Sequence, residues 1–485
     1  MLIISRSFAF LLSFILPIVL VRIFNQQQFG LYRQLLLINI TFFPILQLGI
    51  SQSLYYFYPR EEYKRALLIQ QSFFFLILTG LIFFIIIFFF KNFFASYFFH
   101  NAVMVKTLPL IGLFTGLMVP TSILEILLIV ENRVKLASLI TIISAVLRVL
   151  LVLFFAFTLK SIYFLIVGLV VFSGIRLVFL VGYIIHNYKK LEKFDLSFLK
   201  KELLYAIPFG LAVTMVTLNT TIDKFTITYL FTPAFYAIYS VGCYQIPVIS
   251  ITLNAVVSII LPQISLFQKD RKIFEILDLW RRAIRKLALI GFPVFVFFFT
   301  FAKEFISFFF TLKYANSTPI FRIFLFVILI DTTIYGVILR AYGRTSYIFL
   351  ISVFSFVIAL AFIYPACKFF GLSGAATVVV SAHALLAIFQ LIKSKSLLKI
   401  KIAQLLPWKI LFKILMIATL SVSLLIPIKY LHFLNTFSIL AISSILFFLI
   451  YLLFIWNIPL LTMGEKKQFK GYLSKIHYFF AGGTH

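Results

Sequence analysis

Long runs of apolar residues fill this chain and leave only short polar gaps between them. A run of about 20 residues crosses a hydrocarbon core about 30 Å thick when it forms a helix that rises 1.5 Å per residue. The pattern predicts an all-α polytopic membrane protein with about 14 transmembrane helices. The predicted spans are 7–24, 34–56, 66–90, 105–130, 136–158, 161–185, 204–231, 235–262, 285–311, 319–341, 345–366, 373–392, 409–428 and 435–457.

Lysine and arginine residues concentrate in every second gap between these spans. Examples are the gap from Arg60 to Arg65, the pair Arg133 and Lys135, and the later gap from Lys269 to Lys286. Cytoplasmic loops of membrane proteins collect Lys and Arg, so the basic gaps are predicted to be cytoplasmic. An even number of spans then places both termini of this multi-pass protein in the cytoplasm.

A segment before the ninth span has apolar residues at helical spacing among basic ones. The apolar positions are Ile273, Leu277, Trp280, Ile284 and Leu287. This spacing predicts an amphipathic helix that lies on the membrane surface and leads into span nine.

Composition excludes an ordinary soluble protein. Hydrophobic residues make up 63% of the chain and charged residues 12%, whereas soluble domains are about half apolar and a quarter charged. The net charge of +29 raises the question of a nucleic-acid partner. Because the basic residues are spread over many cytoplasmic gaps and no nucleic-acid-binding module is present, we expect them to face the head groups of membrane lipids instead.

Two pairs of short segments suggest an internal duplication. Phe24–Tyr32 follows the first span and aligns with Phe231–Tyr239 after the seventh, while Glu131–Arg133 aligns with Tyr342–Arg344. The members of each pair lie six spans apart, so the repeats run parallel about an axis along the membrane normal. The predicted domains are therefore a six-helix lobe at 1–190, a second at 191–400, and helices 13 and 14 with a cytoplasmic tail at 401–485.

Several motifs appear in the order typical of one family. The segment Gln28–Tyr32 resembles the E-F-G-x-Y turn after the first helix of bacterial polysaccharide-export flippases, with Gln28 in place of the acidic residue. Pro208 and Gly210 followed by Ile222-Asp223-Lys224 resemble the seventh helix of that family, and Gly371–Ala376 is similar to the start of its twelfth. The chain thus resembles the O-antigen-flippase-like branch of the multidrug/oligosaccharidyl-lipid/polysaccharide flippase superfamily.

This resemblance implies an architecture and a cargo. It implies two six-helix lobes around a central cavity, with two peripheral C-terminal helices. The implied substrate is an oligosaccharide linked to polyprenyl pyrophosphate, moved by alternating access for O-antigen (lipopolysaccharide), capsule or exopolysaccharide assembly. The implied location is the bacterial cytoplasmic, or inner, membrane. A polymerase complex is a further partner to expect.

Ionisable residues inside the spans are the candidate site. A charge at bilayer depth costs at least about 2.5–3.5 kcal/mol, so such residues face a cavity or a partner. One hypothesis is that they pair with one another. The other is that the cations bind pyrophosphate, that Asn219 meets sugar hydroxyls, and that an acidic residue carries a coupling H⁺ or Na⁺. The cations are Arg148, Arg176 and Lys224, and the acids for pairing or ion coupling are Asp223, Asp331 and Glu125.

Enzymatic functions have little support in the sequence. It contains no zinc-ligand spacing and no nucleotide-binding loop, so we expect no catalytic residue, metal or cofactor. A glycan polymerase or ligase remains an alternative, although the outer gaps near 91–104 and 312–318 are short and lack paired carboxylates. A multidrug or cation antiporter of the same superfamily is the closer alternative, and it would typically have an acidic cavity.

Overall fold

Helices form every regular element in the part of the chain that the computed structural model describes, which is residues 1–188, 192–430 and 435–457. Thirteen helical segments in these ranges are long and apolar enough to cross a membrane. One of them, Thr345–Leu398, has 54 residues, which is about 80 Å of helix and too long for a single crossing. Its backbone breaks at Gly371, where φ is 59° and ψ is −142°. The two halves provide spans eleven and twelve, so the fourteen predicted crossings are present.

The helices that build the crossings are as follows. Spans one to six are formed by Leu2–Ile23, Gln26–Leu46 with Ile50–Phe57, Arg65–Phe89, Val103–Thr121 with Ile123–Val130, Val134–Thr158, and Ile162–Asn187. Spans seven to ten are formed by Leu196–Leu230, Pro233–Gly242 with Pro247–Lys269, Ile273–Thr300 with Ala302–Phe310, and Thr318–Asp331 with Val337–Ala341. Spans thirteen and fourteen are Trp408–Ser423 and Thr436–Asn457, and the predicted cytoplasmic tail lies outside the described residues.

Span two begins earlier than its hydropathy predicts. The Asn25 side chain accepts a hydrogen bond from the Gln28 backbone N–H at 2.8 Å, and the Gln28 side chain accepts one from the Asn25 N–H at 3.2 Å. This reciprocal capping satisfies two N–H groups at the helix start, so helix forms through a polar stretch. Arg33 consequently lies within the helix.

Span seven also begins earlier, at Leu196. The Asp195 carboxylate caps the helix by accepting from the backbone N–H groups of Ser197 at 3.0 Å and Phe198 at 3.1 Å. Hydrogen bonds from Ser197, Phe198 and Lys64 hold the pKa of Asp195 well below its ordinary value. Glu202, which the hydropathy pattern leaves outside span seven, therefore lies within its helix.

The predicted surface helix before span nine is instead the first part of that span. Ile273–Thr300 is one continuous helix that packs against Trp408–Ser423. Ile276, Trp280 and Ile284 are fully buried. The predicted helix that leads into span nine is therefore present, but its apolar stripe is covered by protein instead of facing lipid.

The chain divides into two compact units. Among the described residues, the first unit comprises those within 1–251, 309–324 and 344–389, and the second comprises the others. A buried apolar cluster in the first unit packs spans two, three, four and seven against one another. It includes Leu54, Leu68, Leu124, Leu127 and Ala206. The lobe boundaries at 190 and 400 stay a prediction.

The segments that suggested duplication have matching local structures. Asn25–Tyr32 and Thr232–Tyr239 each begin a helix, and their tyrosines are both buried. In the second pair, Asn132 and Gly343 occupy equivalent positions and adopt left-handed φ values of 60° and 66°. The helix starts, the buried tyrosines and the left-handed residues of the two segment pairs thus agree with an internal duplication.

A close helix contact at Gly30 provides a test of this packing. A Cβ atom at Gly30 would lie 1.8 Å from the Pro233 carbonyl oxygen. We expect Gly30→Ala to destabilise the protein by about 1–3 kcal/mol, because inserted atoms force packed backbones apart. Thermal unfolding of the purified protein in detergent measures the change. The matched control is Gly174→Ala, where an added Cβ meets nothing within 4 Å. Equal melting temperatures for the two variants would contradict the contact.

Candidate functional site

One long-range ion pair, made of two hydrogen bonds, joins spans one and four in the first unit. Arg6 donates from Nη2 to Glu125 Oε1 at 2.6 Å and from Nε to the same oxygen at 2.8 Å. Glu125 lies in the first turn of the helix Ile123–Val130, and Arg6 lies in the second turn of the first helix. Glu125 is therefore engaged by a cation that the sequence analysis left out, because Arg6 precedes the apolar run that predicted span one.

Two further guanidinium groups lie near this pair. Arg148 donates from Nη2 to Ser13 Oγ at 2.5 Å, and its charge interacts with that of Arg176. Arg176 also interacts with the charge of Glu125. The Nε atoms of Arg148 and Arg176 are buried and have no hydrogen-bond partner within the described ranges. We call Arg6, Glu125, Arg148 and Arg176 the arginine cluster.

Charge in the arginine cluster is unbalanced. The cluster has three guanidinium groups and one carboxylate, and that carboxylate is bonded by Arg6. A buried N–H group without an acceptor is unfavourable, so Arg148 and Arg176 are set up to bind an acceptor, and an anion would also neutralise the excess charge.

A further arginine and several tyrosines adjoin this cluster. Arg33 interacts electrostatically with Tyr32, Tyr236 and Tyr244, and Tyr32 also interacts with Arg148. Arg33 was missed because it precedes the predicted start of span two. The signal that could have found it is the Asn25–Gln28 capping pair, which indicates an earlier helix start.

Asp223 and Lys224 contact each other. Lys224 Nζ lies 3.3 and 3.4 Å from the Asp223 carboxylate oxygens and donates to the Thr220 carbonyl at 2.6 Å. Tyr239 of span eight donates to Asp223 Oδ2 at 2.6 Å. Neighbouring residues on a helix point about 100° apart, and the contact forms because the long lysine side chain folds back. The Asp223 side chain is fully buried, while Lys224 is 23% exposed.

The two remaining candidates have other contacts. Asn219 donates from Nδ2 to the Ser352 carbonyl at 2.9 Å and to the Met215 carbonyl at 3.0 Å. Its amide group thus joins its own helix to the helix that contains Ser352. Asp331 belongs to the second unit, where its charge interacts with Tyr335.

Glu202 is a buried acidic residue that the sequence analysis also missed. It is fully buried and lies within hydrogen-bond distance of the hydroxyls of Ser53 and Ser72. No group of three or more His, Cys, Asp or Glu residues that could hold a metal ion occurs in the described part of the chain.

The chain matches one protein family over most of its length. Residues 19–319 match the family described as "Polysaccharide biosynthesis protein". No sequence among the curated proteins matches the chain significantly.

Three solved structures share the architecture. One is described as lipid II flippase MurJ in an inward closed conformation, with a TM-score of 0.71, 18% identity, and coverage of 92% of this chain and 97% of that chain. An inward-facing multidrug resistance MATE family transporter of the MOP superfamily has a TM-score of 0.62, 14% identity, and coverage of 82% and 94%. A MOP superfamily transporter from Pyrococcus furiosus, described as having a binding pocket of reverse polarity, has a TM-score of 0.53, 12% identity, and coverage of 82% and 94%. These likenesses confirm the predicted fold class.

Proposed function

Because the chain belongs to the family of polysaccharide biosynthesis proteins, we propose that it moves an oligosaccharide linked to polyprenyl pyrophosphate across the bacterial cytoplasmic membrane. The family match covers more than half of the chain, and the fold is that of flippases and transporters of the MOP superfamily. The product would serve O-antigen, capsule or exopolysaccharide assembly. The proposed orientation has both termini in the cytoplasm, as the basic gaps indicate.

The observation that carries this proposal is the unbalanced arginine cluster. Pyrophosphate presents several ionised oxygens, and guanidinium groups bind such oxygens through paired charge-assisted hydrogen bonds. The buried Nε–H groups of Arg148 and Arg176 have no other acceptor within the described ranges. We therefore assign these two residues to the head group of the cargo, with Arg33 nearby as a third cation.

The remaining candidates receive different roles. Lys224 shares its ammonium between the Asp223 carboxylate and the Thr220 carbonyl, so we assign Asp223 and Lys224 to a pair that holds span seven to span eight through Tyr239. Asn219 is assigned to packing against Ser352. Asp331 stays a candidate for a coupling H⁺ or Na⁺.

A multidrug or cation antiporter is the alternative that the likeness to a MATE transporter favours. An excess of buried positive charge opposes a cationic cargo, because like charges in a medium of low dielectric repel strongly. The arginine cluster therefore favours the anionic, lipid-linked cargo.

The direct test is reconstitution of the purified protein in lipid vesicles. One set of vesicles carries polyprenyl pyrophosphate bearing a labelled oligosaccharide, and exposure of the sugar to an impermeant oxidant is followed over time. A second set contains a cationic dye. We expect sugar translocation above that of protein-free vesicles and no dye movement. Dye transport without sugar translocation would overturn the proposal.

A further inference from the structure

A buried carboxyl group joins span seven to spans two and three in the first unit. The Glu202 side chain is fully buried. Its Oε1 atom lies 2.6 Å from Ser53 Oγ and 2.8 Å from Ser72 Oγ. Its Oε2 atom is also buried and has no hydrogen-bond partner among the described residues. The neighbouring core is apolar and includes Leu54, Leu68, Leu76 and Ala206.

The number of hydrogens available at this site indicates the protonation state. Ser53 Oγ lies 2.6 Å from the Ile50 carbonyl oxygen and 2.6 Å from Glu202 Oε1. A hydroxyl has one hydrogen, so it cannot donate to both oxygens at full strength. If Ser53 donates to Ile50, its contact with Glu202 requires a hydrogen from the carboxylic acid. The protonated acid therefore satisfies this arrangement, whereas a carboxylate leaves a charged oxygen buried without a donor.

The charged groups around this site are engaged elsewhere. Lys201 pairs with Glu61 at 2.7 Å, and Lys64 pairs with Asp195 at 3.1 Å. Ser53 and Ser72 are the only side-chain partners found for Glu202 in the described ranges, so no cation there neutralises it. The other titratable groups on the packed segments and their connecting loop also have partners or face solvent. Tyr55 interacts with Arg6, Tyr56 stacks on Tyr205, and Arg65 pairs with Glu62 at 3.1 Å. Tyr58 bonds to the Tyr188 hydroxyl and Arg60 to the Tyr56 carbonyl, while Tyr63 and Lys200 are exposed.

The backbones of spans two and seven approach each other closely one and two helical turns from Glu202. A Cβ atom added at Gly49 would lie 2.3 Å from the Ala206 carbonyl oxygen, and one added at Gly210 would lie 2.4 Å from the Leu48 carbonyl carbon. Gly49 has a φ of 81°, which breaks span two at this point. Because a carboxylate here would need water or a cation, its formation requires the helices to separate.

We propose that Glu202 is a proton-binding site, and that loss of its proton to the cytoplasm releases span seven from spans two and three. This inference rests on the proposed function, since it supplies a proton-controlled step for the transport cycle. Binding a proton favours the closed contact, so closure prevails at low pH and weakens as the pH rises. Spans two and seven belong to different predicted lobes, and their separation at this end would open the cytoplasmic side.

Distance measurements between spin labels test the inference without any cargo. Labels at Tyr63→Cys and Lys200→Cys, both exposed positions, report the separation across the contact in a protein whose Cys243 and Cys367 are replaced by alanine. Pulsed electron resonance is recorded between about pH 5 and about pH 9. We expect the long-distance population to grow as the pH rises. In Glu202→Gln, whose amide can donate to Ser53 and accept from Ser72, we expect the short distance at every pH.

The control is Glu61→Gln, which removes the exposed ion pair with Lys201 at the same contact. This variant should keep the pH response. A wild-type distance that does not change with pH, a pH response that persists in Glu202→Gln, or a response to Na⁺ at constant pH would each overturn the inference. The readout needs no substrate, so its failure leaves the proposed cargo to be judged by translocation alone.

Discussion

Replacing Arg148 or Arg176 by alanine is expected to lower translocation of the lipid-linked oligosaccharide at least about tenfold while the protein still folds. A hydrogen bond to a charged group contributes about 1.5–3 kcal/mol, and about 1.4 kcal/mol corresponds to a factor of ten in rate. The guanidinium groups lie in an unbalanced cluster with buried, unpartnered Nε–H groups. Removing one such cation relieves an uncompensated charge, so protein yield should hold or rise. Translocation in vesicles and surface polysaccharide in cells are the measurements.

Two further variants make this prediction specific. Arg148→Lys keeps the positive charge but loses the planar guanidinium group, so we expect a translocation rate between that of wild type and that of Arg148→Ala. Arg60→Ala is the control, because Arg60 lies in the gap between spans two and three and donates to the Tyr56 carbonyl at 3.0 Å. Wild-type translocation in both Arg148→Ala and Arg176→Ala, at equal protein amounts, would remove these residues from the site.

Asp223→Asn is expected to lower the amount of folded protein strongly, in contrast to the arginine variants. Removing one member of a buried ion pair costs about 3–5 kcal/mol, because the other charge is left unpaired. Lys224 would lose the carboxylate that lies 3.3 Å from its ammonium group. Membrane protein yield and the melting temperature in detergent measure the effect.

A second substitution distinguishes pairing from ion coupling. Asp223→Asn with Lys224→Met removes both charges and should restore most of the yield and the translocation. Tyr239→Phe, which removes only the hydrogen bond at 2.6 Å, should cost about 1 kcal/mol. If Asp223→Asn keeps its yield and loses only a dependence of transport on pH or Na⁺, the residue carries a coupling ion and the assignment to pairing is wrong.

The hydropathy pattern was sufficient for the number of crossings. The break between spans eleven and twelve was placed between 366 and 373, and the backbone leaves helical geometry at Gly371. This prediction succeeds because each spanning helix must match the nearly constant thickness of the hydrocarbon core. The length of an apolar run is a local property of the sequence and can be measured without knowing which helices lie beside it.

Helix starts were predicted less well, with direct consequences for the site. Arg33 and Glu202 both fell outside the predicted spans, and both lie inside helices because capping by Asn25 and Asp195 extends those helices through polar residues. A hydropathy profile does not include capping hydrogen bonds. It therefore places polar residues just before an apolar run in a loop, although capping can include them in the helix.

The family and the multi-pass, all-helical fold could be derived from the order of motifs and apolar runs. Only the tertiary structure decided which partner each charged side chain contacts. Arg6 bonds to Glu125 across 119 residues, Arg148 to Ser13 across 135, and Glu202 to Ser53 across 149. Such contacts depend on how each helix is rotated and how closely it approaches its neighbours. Close backbone contacts such as that of Gly30 with Pro233 set that rotation and approach, and they join residues far apart in sequence.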